Sequence, residues 1–312
     1  MGKHAIIDVG SNSLHLTVYQ VDGSRFKPLF RTKVMAGLAG YVERGRLSAE
    51  GICAAEEALL EFRRTLDILS IQHVSVFATA SLRNIENARE AVAQLQHTTG
   101  FSVEIVSGAE EARLSYCGAM LDLDIHSGAF VDIGGASTEV VTFDRGKIAA
   151  SHSCRIGSLS LYKKYAGKIL PGPKALEGME RAVQAALADL GTLQWDPRSP
   201  LVCVGGTART VLKLARKKYA LAPECRTVSA AEVDELLALL CSKDRRMLRL
   251  LLRTEPDRVH TIVPGLCILH RVMHLFQSEE IVISQYGVRE GFLCQKIIQS
   301  SPATMPLPRT GR

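Results

Sequence analysis

The chain has 312 residues, of which 46% are hydrophobic and 22% are charged, so it is long enough for about two domains with ordinary buried cores. The formal net charge of +6 suits an anionic ligand but is too small to indicate nucleic acid, so no DNA partner is expected. No apolar run reaches the roughly 18 residues of a membrane span, so no membrane partner is expected either.

The cysteines are scattered along the chain, and none of them forms a C-x-x-C pair. This pattern favours reduced, mostly buried thiols over a zinc site. The first residues lead directly into a strand and carry no signal-peptide pattern. Together these features predict a cytoplasmic protein.

Strands and helices alternate along most of the chain, which predicts an α/β fold. In the first half we expect strands at 4–9, 14–21, 26–35, 73–79 and 103–106, with helices that begin near 48, at 84 and after 107. In the second half we expect strands at 147–153, 200–204 and 280–284, and helices at 159–165, 175–190, 207–218, 229–241, 243–253 and 264–276.

A short stretch near the middle of the chain, 131–139, predicts a β-hairpin with a tight glycine loop. Asp132 ends its first strand, where a buried carboxylate is costly unless it meets a cation or hydrogen-bond donors. Gly134 and Gly135 lack side chains, so their N–H groups can close on an anion, and Ser137 adds a hydroxyl donor. The stretch therefore predicts an anion-binding loop.

The same pattern occurs once before, at the N-terminus, where Asp8 and Gly10-Ser11-Asn12-Ser13 precede a second apolar run. The two copies align without a gap, and the matched pairs are Asp8 with Asp132, Gly10 with Gly134, Ser13 with Ser137, Leu16 with Val140, and Tyr19 with Phe143. Such a repeat predicts two similar domains, each of which offers a Gly/Ser loop to a shared cleft. Two facing loops of this kind suit a phosphate-bearing polyanion.

A third glycine loop, Gly205-Gly206-Thr207, follows an apolar strand and opens a predicted helix. A helix N-terminus with free N–H groups favours an anion, although a plain strand-to-helix turn explains this loop equally well. Another predicted helix begins at the capping box formed by Ser107 and Glu110. The neighbouring Glu111 has no capping role, so we interpret it as an acid that lies near the loops.

Six segments, taken in order, resemble those of the Ppx/GppA phosphatases, which are exopolyphosphatases and guanosine pentaphosphate phosphohydrolases. These segments lie at 8–13, 78–83, 107–113, 132–139, 205–207 and 286–291. The resemblance covers nearly the whole chain. It implies two ribonuclease-H-like domains of the actin-like ATPase superfamily (ASKHA) with an interdomain cleft. We place the N-terminal domain at 1–124, the C-terminal domain at 125–300 and a flexible tail at 301–312.

The resemblance also implies roles for single residues. Glu111 corresponds to the carboxylate that activates the attacking water, and Arg83 to an arginine that contacts phosphate. Asp132 and Glu139 correspond to acids beside a Mg²⁺ ion. We also assign Asp8 to the metal, because it matches Asp132 in the repeat. The phosphate-binding residues would be Gly10, Ser11, Asn12, Ser13, Gly134, Gly135, Ala136, Ser137, Gly205, Gly206 and Thr207.

Two positions depart from the family pattern. Ala136 stands where a third glycine is usual, and its methyl group is tolerated only if its φ is negative. His260, in Arg258-Val259-His260, stands where an aspartate is common. A basic stretch with Arg245, Arg246, Arg249 and Arg253 either lines a path for polyphosphate or is a solvated helix face.

The implied activity is hydrolysis of the terminal phosphoanhydride of inorganic polyphosphate with Mg²⁺. Guanosine pentaphosphate and nucleoside triphosphates present the same terminal group, so they stay alternative substrates. Phosphotransferases (kinases) of the same superfamily share these loops, and a non-catalytic sensor or filament is a third class. Homodimers are common in such families. His270 and His274 lie four residues apart but lack the H-E-x-x-H pattern of a metal site.

Overall fold

The computed structural model describes residues 2–193, 195 and 199–298. The predicted tail at 301–312 lies outside the described residues. Within them, no helix combines the length and the apolar character that a membrane crossing requires.

In the described part of the chain, the N-terminal half forms a five-stranded sheet in the order β3-β2-β1-β6-β7. β1 and β2 are antiparallel, as are β2 and β3, whereas β6 and β7 run parallel to β1. A separate two-residue hairpin consists of β4 and β5. The strands are β1 (Gly2–Val9), β2 (Leu14–Asp22), β3 (Arg25–Val34), β4 (Val42–Glu43), β5 (Arg46–Leu47), β6 (Val74–Ala78) and β7 (Val103–Ile105).

The C-terminal half repeats this topology in a six-stranded sheet, counted over the described residues, with the order β10-β9-β8-β11-β13-β12. Its first three strands are again antiparallel, and the next two again run parallel to the first. An antiparallel edge strand, β12, is added, and its three residues were too short for the sequence to predict. The strands are β8 (Gly128–Ile133), β9 (Thr138–Asp144), β10 (Lys147–Cys154), β11 (Leu201–Val204), β12 (Thr227–Ser229) and β13 (Glu280–Ile283).

The two hairpins share one register, as the sequence repeat predicts. Asp8 pairs with His15 in the first, and Asp132 pairs with Glu139 in the second. The first glycine of each loop allows the same close approach of the backbone. A Cβ on Gly10 would lie 2.7 Å from the Ser13 carbonyl oxygen, and a Cβ on Gly134 would lie 3.0 Å from the Ser137 carbonyl oxygen. The predicted mixed α/β fold with two repeated units is therefore confirmed.

Helices cover both sheets. They are α1 (Ala49–Ile68), α2 (Ala80–Arg83), α3 (Ala88–Thr99), α4 (Gly108–Ala119), α5 (Ser158–Tyr165), α6 (Pro173–Ala186), α7 (Gly205–Lys218), α8 (Ala230–Cys241), α9 (Arg245–Thr254), α10 (Ile262–Leu275) and α11 (Val288–Phe292). Most of them match the predicted helices within a few residues. The predicted helix at 84–99 is shorter, because the Asn87 side chain exchanges two hydrogen bonds with the Leu47 backbone and α3 begins only at Ala88.

Of the two predicted capping boxes, one is confirmed in full and the other in part. Ser229 and Glu232 form a complete capping box at the start of α8. At α4, Ser107 accepts the Glu110 amide, but the Glu110 carboxylate pairs with Lys296 at 2.7 Å. The Ser107 half of the predicted box is therefore present, and Glu110 instead binds the C-terminal segment.

The end of the described chain returns to the N-terminal sheet. Phe292 of α11 stacks on Phe77 of β6 with ring centroids 4.7 Å apart, and Leu293 in the following π-helical turn joins the same buried cluster. α11 also packs against α4, which connects the two sheets. This packing crosses the boundary we placed after residue 124, so that boundary stays a prediction.

Candidate active site

A cleft of about 840 Å³ lies where the two hairpins meet, at the carboxyl ends of β1 and β8. Most of the residues predicted for the site line this one cleft. They are Asp8, Gly10, Ser11, Asn12, Ser13, Glu111, Asp132, Gly134, Gly135, Ala136, Ser137, Gly205 and Gly206.

The two repeat loops touch each other across the cleft. A Cβ on Gly135 would lie 3.2 Å from both the Asn12 amide nitrogen and the Ser11 Cβ, so the loops can approach this closely only because residue 135 has no side chain. Ala136 does not have a positive φ, so its methyl group is tolerated and the loop keeps its shape.

Asn12 is prepared for a ligand. The residue is only 7% exposed, and its Nδ2 atom has no hydrogen-bond partner within the described residues. A buried donor without an acceptor costs about 1–3 kcal/mol. An anionic oxygen bound between the loops would supply the acceptor.

Glu111 lies in the first turn of α4, where the residue is 8% exposed and its side chain faces the cleft. Arg83 Nη1 donates a 2.5 Å hydrogen bond to Glu111 Oε2. Burial raises the pKa of Glu111 to about 7, although the Arg83 charge opposes this shift. A carboxylate with a pKa near neutrality is suited to accept a proton from water.

Arg83 and Glu139 lie behind the cleft wall. Arg83 Nη1 also donates to the Val106 carbonyl at 3.1 Å, and Arg83 Nη2 lies 3.7 Å from Glu139 Oε1. Glu139 is 1% exposed and accepts the Ser153 hydroxyl at 2.8 Å. Burial and the Glu111 charge raise the Glu139 pKa well above its usual range. Both side chains are therefore positioned to hold Glu111 rather than to face the cleft.

Thr207 is the third predicted residue that does not line the cleft. It is buried at the start of α7, where its hydroxyl packs against Gly265 of α10. Gly205 and Gly206 do line the cleft. Gly205 has a φ of +86°, and a Cβ there would lie 2.6 Å from Asp132 Oδ1. This glycine therefore fixes the approach of the third loop to Asp132.

Asp8 and Asp132 are the two aspartates of the repeat. Burial raises the pKa of Asp8 to about 6; the nearby Arg289 opposes this shift, and the Asp132 charge adds to it. Burial also raises the Asp132 pKa, and the Ser115 hydroxyl, which donates to Asp132 Oδ2 at 2.5 Å, opposes that shift. The cleft thus holds two buried acids whose negative charges Arg209 and Arg289 compensate only in part, so a bound cation would favour both carboxylates.

These acids fit a Mg²⁺ ion better than a fully protein-built metal site. Among the described residues, no three His, Cys, Asp or Glu side chains are arranged to hold a metal. The His270 and His274 rings contact each other, with Asp234 at 3.4 Å from His270, but they complete no such group. Mg²⁺ is commonly held by only one or two carboxylates, with phosphate oxygens and water completing its shell. Asp8 and Asp132 can supply those carboxylates.

Three arginines that the sequence did not identify as site residues also line the cleft: Arg209 on α7, Arg258 before α10 and Arg289 on α11. Burial, and then the Arg289 charge, lower the pKa of Arg209 to about 10, which leaves the side chain cationic at neutral pH. Any side chain at Gly206 would collide with the Arg258 guanidinium, so that group lies directly on the third loop. The sequence held a signal for each of these arginines: Arg209 follows the Gly205–Thr207 loop by two residues, Arg289 lies in the matched segment 286–291, and Arg258 begins the segment that departs from the family pattern.

The comparisons with known proteins identify the family of the chain and its fold. The sequence profile of the Ppx/GppA phosphatase family matches residues 17–299. Exopolyphosphatase 1 of Mycobacterium tuberculosis is 25% identical over 312 residues, which cover 96% of this chain and 89% of that protein. The crystal structure of an exopolyphosphatase from Cytophaga hutchinsonii superposes with a TM-score of 0.84 at 23% identity, over 96% of this chain and 99% of that one.

A second solved structure, the Ppx/GppA family member from Aquifex aeolicus, gives a TM-score of 0.75 at 23% identity, over 96% of this chain and 98% of that one. These likenesses extend over nearly the whole chain and therefore over both sheets. The chain belongs to the Ppx/GppA phosphatase family.

Proposed function

We propose that the protein is an exopolyphosphatase, which hydrolyses the terminal phosphoanhydride bond of inorganic polyphosphate and releases orthophosphate. The observation that carries this proposal is Glu111, a buried carboxylate that faces a cleft built from two abutting glycine loops. A relative named exopolyphosphatase covers nearly the whole chain and supports the same substrate class.

In the proposed reaction, a water oxygen attacks the terminal phosphorus while Glu111 accepts the water proton. The bond between this phosphorus and the bridging oxygen breaks, orthophosphate leaves, and the bridging oxygen stays with the shortened chain. The Arg83 hydrogen bond fixes the orientation of the Glu111 carboxylate. Because the Glu111 pKa is raised to about 7, the carboxylate can hold the proton during the step.

Phosphoryl transfer requires positioning and charge stabilisation more than covalent chemistry from the protein. Backbone N–H groups of the loops at 10–13 and 134–137 can donate to the terminal phosphate oxygens. Arg209, Arg258 and Arg289 lie in the same cleft and add positive charge. The cleft thus offers donors from both repeats to a single anionic group.

Asp8 and Asp132 would hold Mg²⁺ in this proposal. When bound, the ion would neutralise phosphate charge and help to orient the terminal group. The two aspartates keep their side chains at the ends of matching strands, so the repeat supplies one acid from each half of the molecule.

A phosphate-release assay on polyphosphate, guanosine pentaphosphate and ATP, each with Mg²⁺ and with a chelator, tests the proposal. We expect Mg²⁺-dependent release with polyphosphate as the preferred substrate. A higher kcat/KM for guanosine pentaphosphate would favour a nucleotide phosphohydrolase, and a phosphorylated acceptor would favour a kinase. The cytoplasmic location and the homodimer stay predictions. Cell fractionation can test the location, and light scattering can test the oligomeric state.

A further inference from the structure

One acid of the cleft wall, Glu290, has no part in the proposed reaction. It lies on α11, lines the cleft together with Arg289 and is only 2% exposed. A buried carboxylate beside a site for a polyanion loses its hydration and repels the ligand, so another role must offset this cost. The hydrogen bonds of Glu290 identify that role.

The two oxygens of Glu290 bind different parts of the molecule. Oε1 accepts the Tyr19 hydroxyl at 2.7 Å and Arg31 Nη2 at 3.3 Å, and these two residues lie on β2 and β3 of the first sheet. Oε2 accepts the backbone N–H of Gly287, the residue before α11, at 3.1 Å. The carboxylate therefore joins the start of α11 to the first sheet.

The position of α11 depends on its neighbours, because a helix of five residues is held only weakly by its own hydrogen bonds. On one side its backbone touches the backbone of α4, which carries Glu111. A Cβ on Gly291 would collide with the Leu114 carbonyl. A Cβ on Gly118 would likewise collide with the Gly287 carbonyl. These contacts fix the distance between the two helices.

The rotation of α11 about its axis is set by the side chains that reach the first sheet. Phe292 stacks on Phe77 there, and Glu290 binds β2. Neighbouring residues of a helix point about 100° apart, so these contacts also fix the direction of Arg289. Its side chain lines the cleft, and Nη1 donates to the Thr17 hydroxyl of β2 at 3.3 Å. Glu290 thus helps to direct the neighbouring cation into the cleft.

Glu290 also favours the charge of Arg289. Burial opposes this charge, but the nearby anionic groups, of which Glu290 has the largest effect, raise the Arg289 pKa overall. In contrast, burial lowers the pKa of Arg209 to about 10 and also lowers the pKa of Arg258. The acid therefore supports both the direction and the charge of the arginine beside it.

We propose that Glu290 is a positioning residue, which ties α11 to β2 and β3 so that Arg289 points at the phosphate bound between the glycine loops. This inference rests on the proposed function. It deepens that function because it gives a buried acid of the cleft a role that acts through Arg289 rather than through contact with the substrate.

A double-mutant cycle between Glu290 and Arg289 in the full-length protein tests this role. Glu290→Gln keeps the size of the side chain, but one amide oxygen cannot accept from both Tyr19 and Gly287. Because a small misplacement of a substrate-binding group can cost about 10²-fold, we expect kcat/KM for polyphosphate to fall about 10- to 100-fold. Arg289→Gln should cost at least as much. Adding Glu290→Gln to it should then cost less than about threefold more, since independent effects would multiply.

Glu104→Gln is the matched control. Glu104 is exposed on β7 and pairs with Lys296 at 3.1 Å, so the same chemical change loosens the same C-terminal segment outside the cleft. This variant should retain the wild-type kcat/KM. Tyr19→Phe is a milder test, because it removes one hydrogen bond from Glu290 and leaves the charge in place. Its loss of kcat/KM should also disappear in the Arg289→Gln background, and it decides the question if urea unfolding shows that Glu290→Gln is not folded.

The outcomes separate this inference from the function on which it rests. Equilibrium binding of tripolyphosphate in the Glu111→Gln background gives a second readout of the cycle that needs no turnover. If the wild-type protein releases no phosphate from polyphosphate, the proposed function fails, and the binding cycle still decides the role of Glu290. The positioning role is refuted, and the function stands, if Glu290→Gln retains full activity or costs as much without Arg289 as with it. An equal loss in Glu104→Gln would also refute the role, because the effect would then come from the C-terminal segment as a whole.

Discussion

Replacing Glu111 with glutamine removes one charge at the centre of the site and little else. The amide has the size of the carboxylate, and its oxygen can still accept the hydrogen bond from Arg83. The residue lies in the first turn of α4 beside Glu110, whose carboxylate binds Lys296 away from the cleft. Glu110→Gln is therefore a matched control, with the same chemical change one position earlier.

The expected loss follows from the role of a general base. Such a group typically contributes 10²–10⁴-fold to the rate, or about 3 to 5 kcal/mol of barrier, so kcat for the Glu111→Gln variant should fall by that factor. The base must be deprotonated, and burial raises its pKa to about 7. Wild-type kcat/KM should therefore rise with pH until the pH passes about 7, and the variant should lose this rise.

Stability should move in the opposite direction. Because burial raises the pKa of Glu111 from 4.5 to about 7, its contribution to folding is complete below pH 4.5 and is lost as the pH rises through about 7. At pH 8 the buried charge therefore costs about 3 kcal/mol, and this net figure already includes the opposing effect of Arg83. We expect the unfolding free energy of Glu111→Gln at pH 8 to equal or exceed that of wild type.

Phosphate release measured from pH 5 to 9, together with urea unfolding at pH 8, tests both expectations. Near-normal turnover by Glu111→Gln would refute the role of this carboxylate, and an equal loss in Glu110→Gln would trace the effect to α4 rather than to the base. A collapse in stability would show that the charge of Glu111 supports the fold.

Three further substitutions test the fold around the site by urea unfolding. Gly205→Ala places a methyl group at a φ of +86° against Asp132, so we expect a loss of about 1–3 kcal/mol and lower turnover; unchanged values would contradict this backbone conformation. Tyr19→Phe removes the 2.7 Å hydrogen bond to the buried Glu290 carboxylate, and a loss of about 1.5–3 kcal/mol is expected rather than none. Phe77→Ala empties a fully buried ring site beneath the terminal helix, so a loss of about 3–5 kcal/mol is expected, and a loss below 1 kcal/mol would contradict that packing.

The sequence predicted the parts of the site that lie close together along the chain. The loops at 10–13 and 134–137 were found because acid, glycine and hydroxyl positions recur at fixed spacing, and this spacing also fixes the hairpin register. Glu111 was found because its neighbour, Glu110, had a capping motif of its own. Each of these signals fits within about ten residues.

The arginines of the cleft could not be found in this way. Three separate elements supply Arg209, Arg258 and Arg289. These elements meet at the cleft only because of the order of the strands in the sheet and the packing of the C-terminal segment against the first half. The orientation of the Arg83 side chain could not be predicted either, because it is set by contacts with the Val106 carbonyl and with Glu139, which lie in other parts of the chain. Side-chain direction at a site between domains is set by tertiary contacts that local patterns do not encode.

The packing of Phe292 and Leu293 on the N-terminal sheet affects how the protein can be made. Ile6, Tyr19 and Phe77 emerge from the ribosome long before the residues that cover them. During synthesis, domains generally fold as units, beginning with the N-terminal one. The apolar surface formed by Ile6, Tyr19 and Phe77 therefore stays uncovered by the protein itself until residues 292 and 293 have been made. The first half can therefore form its main cluster alone, but the second cluster on its sheet is completed only after nearly all of the second half has been synthesised.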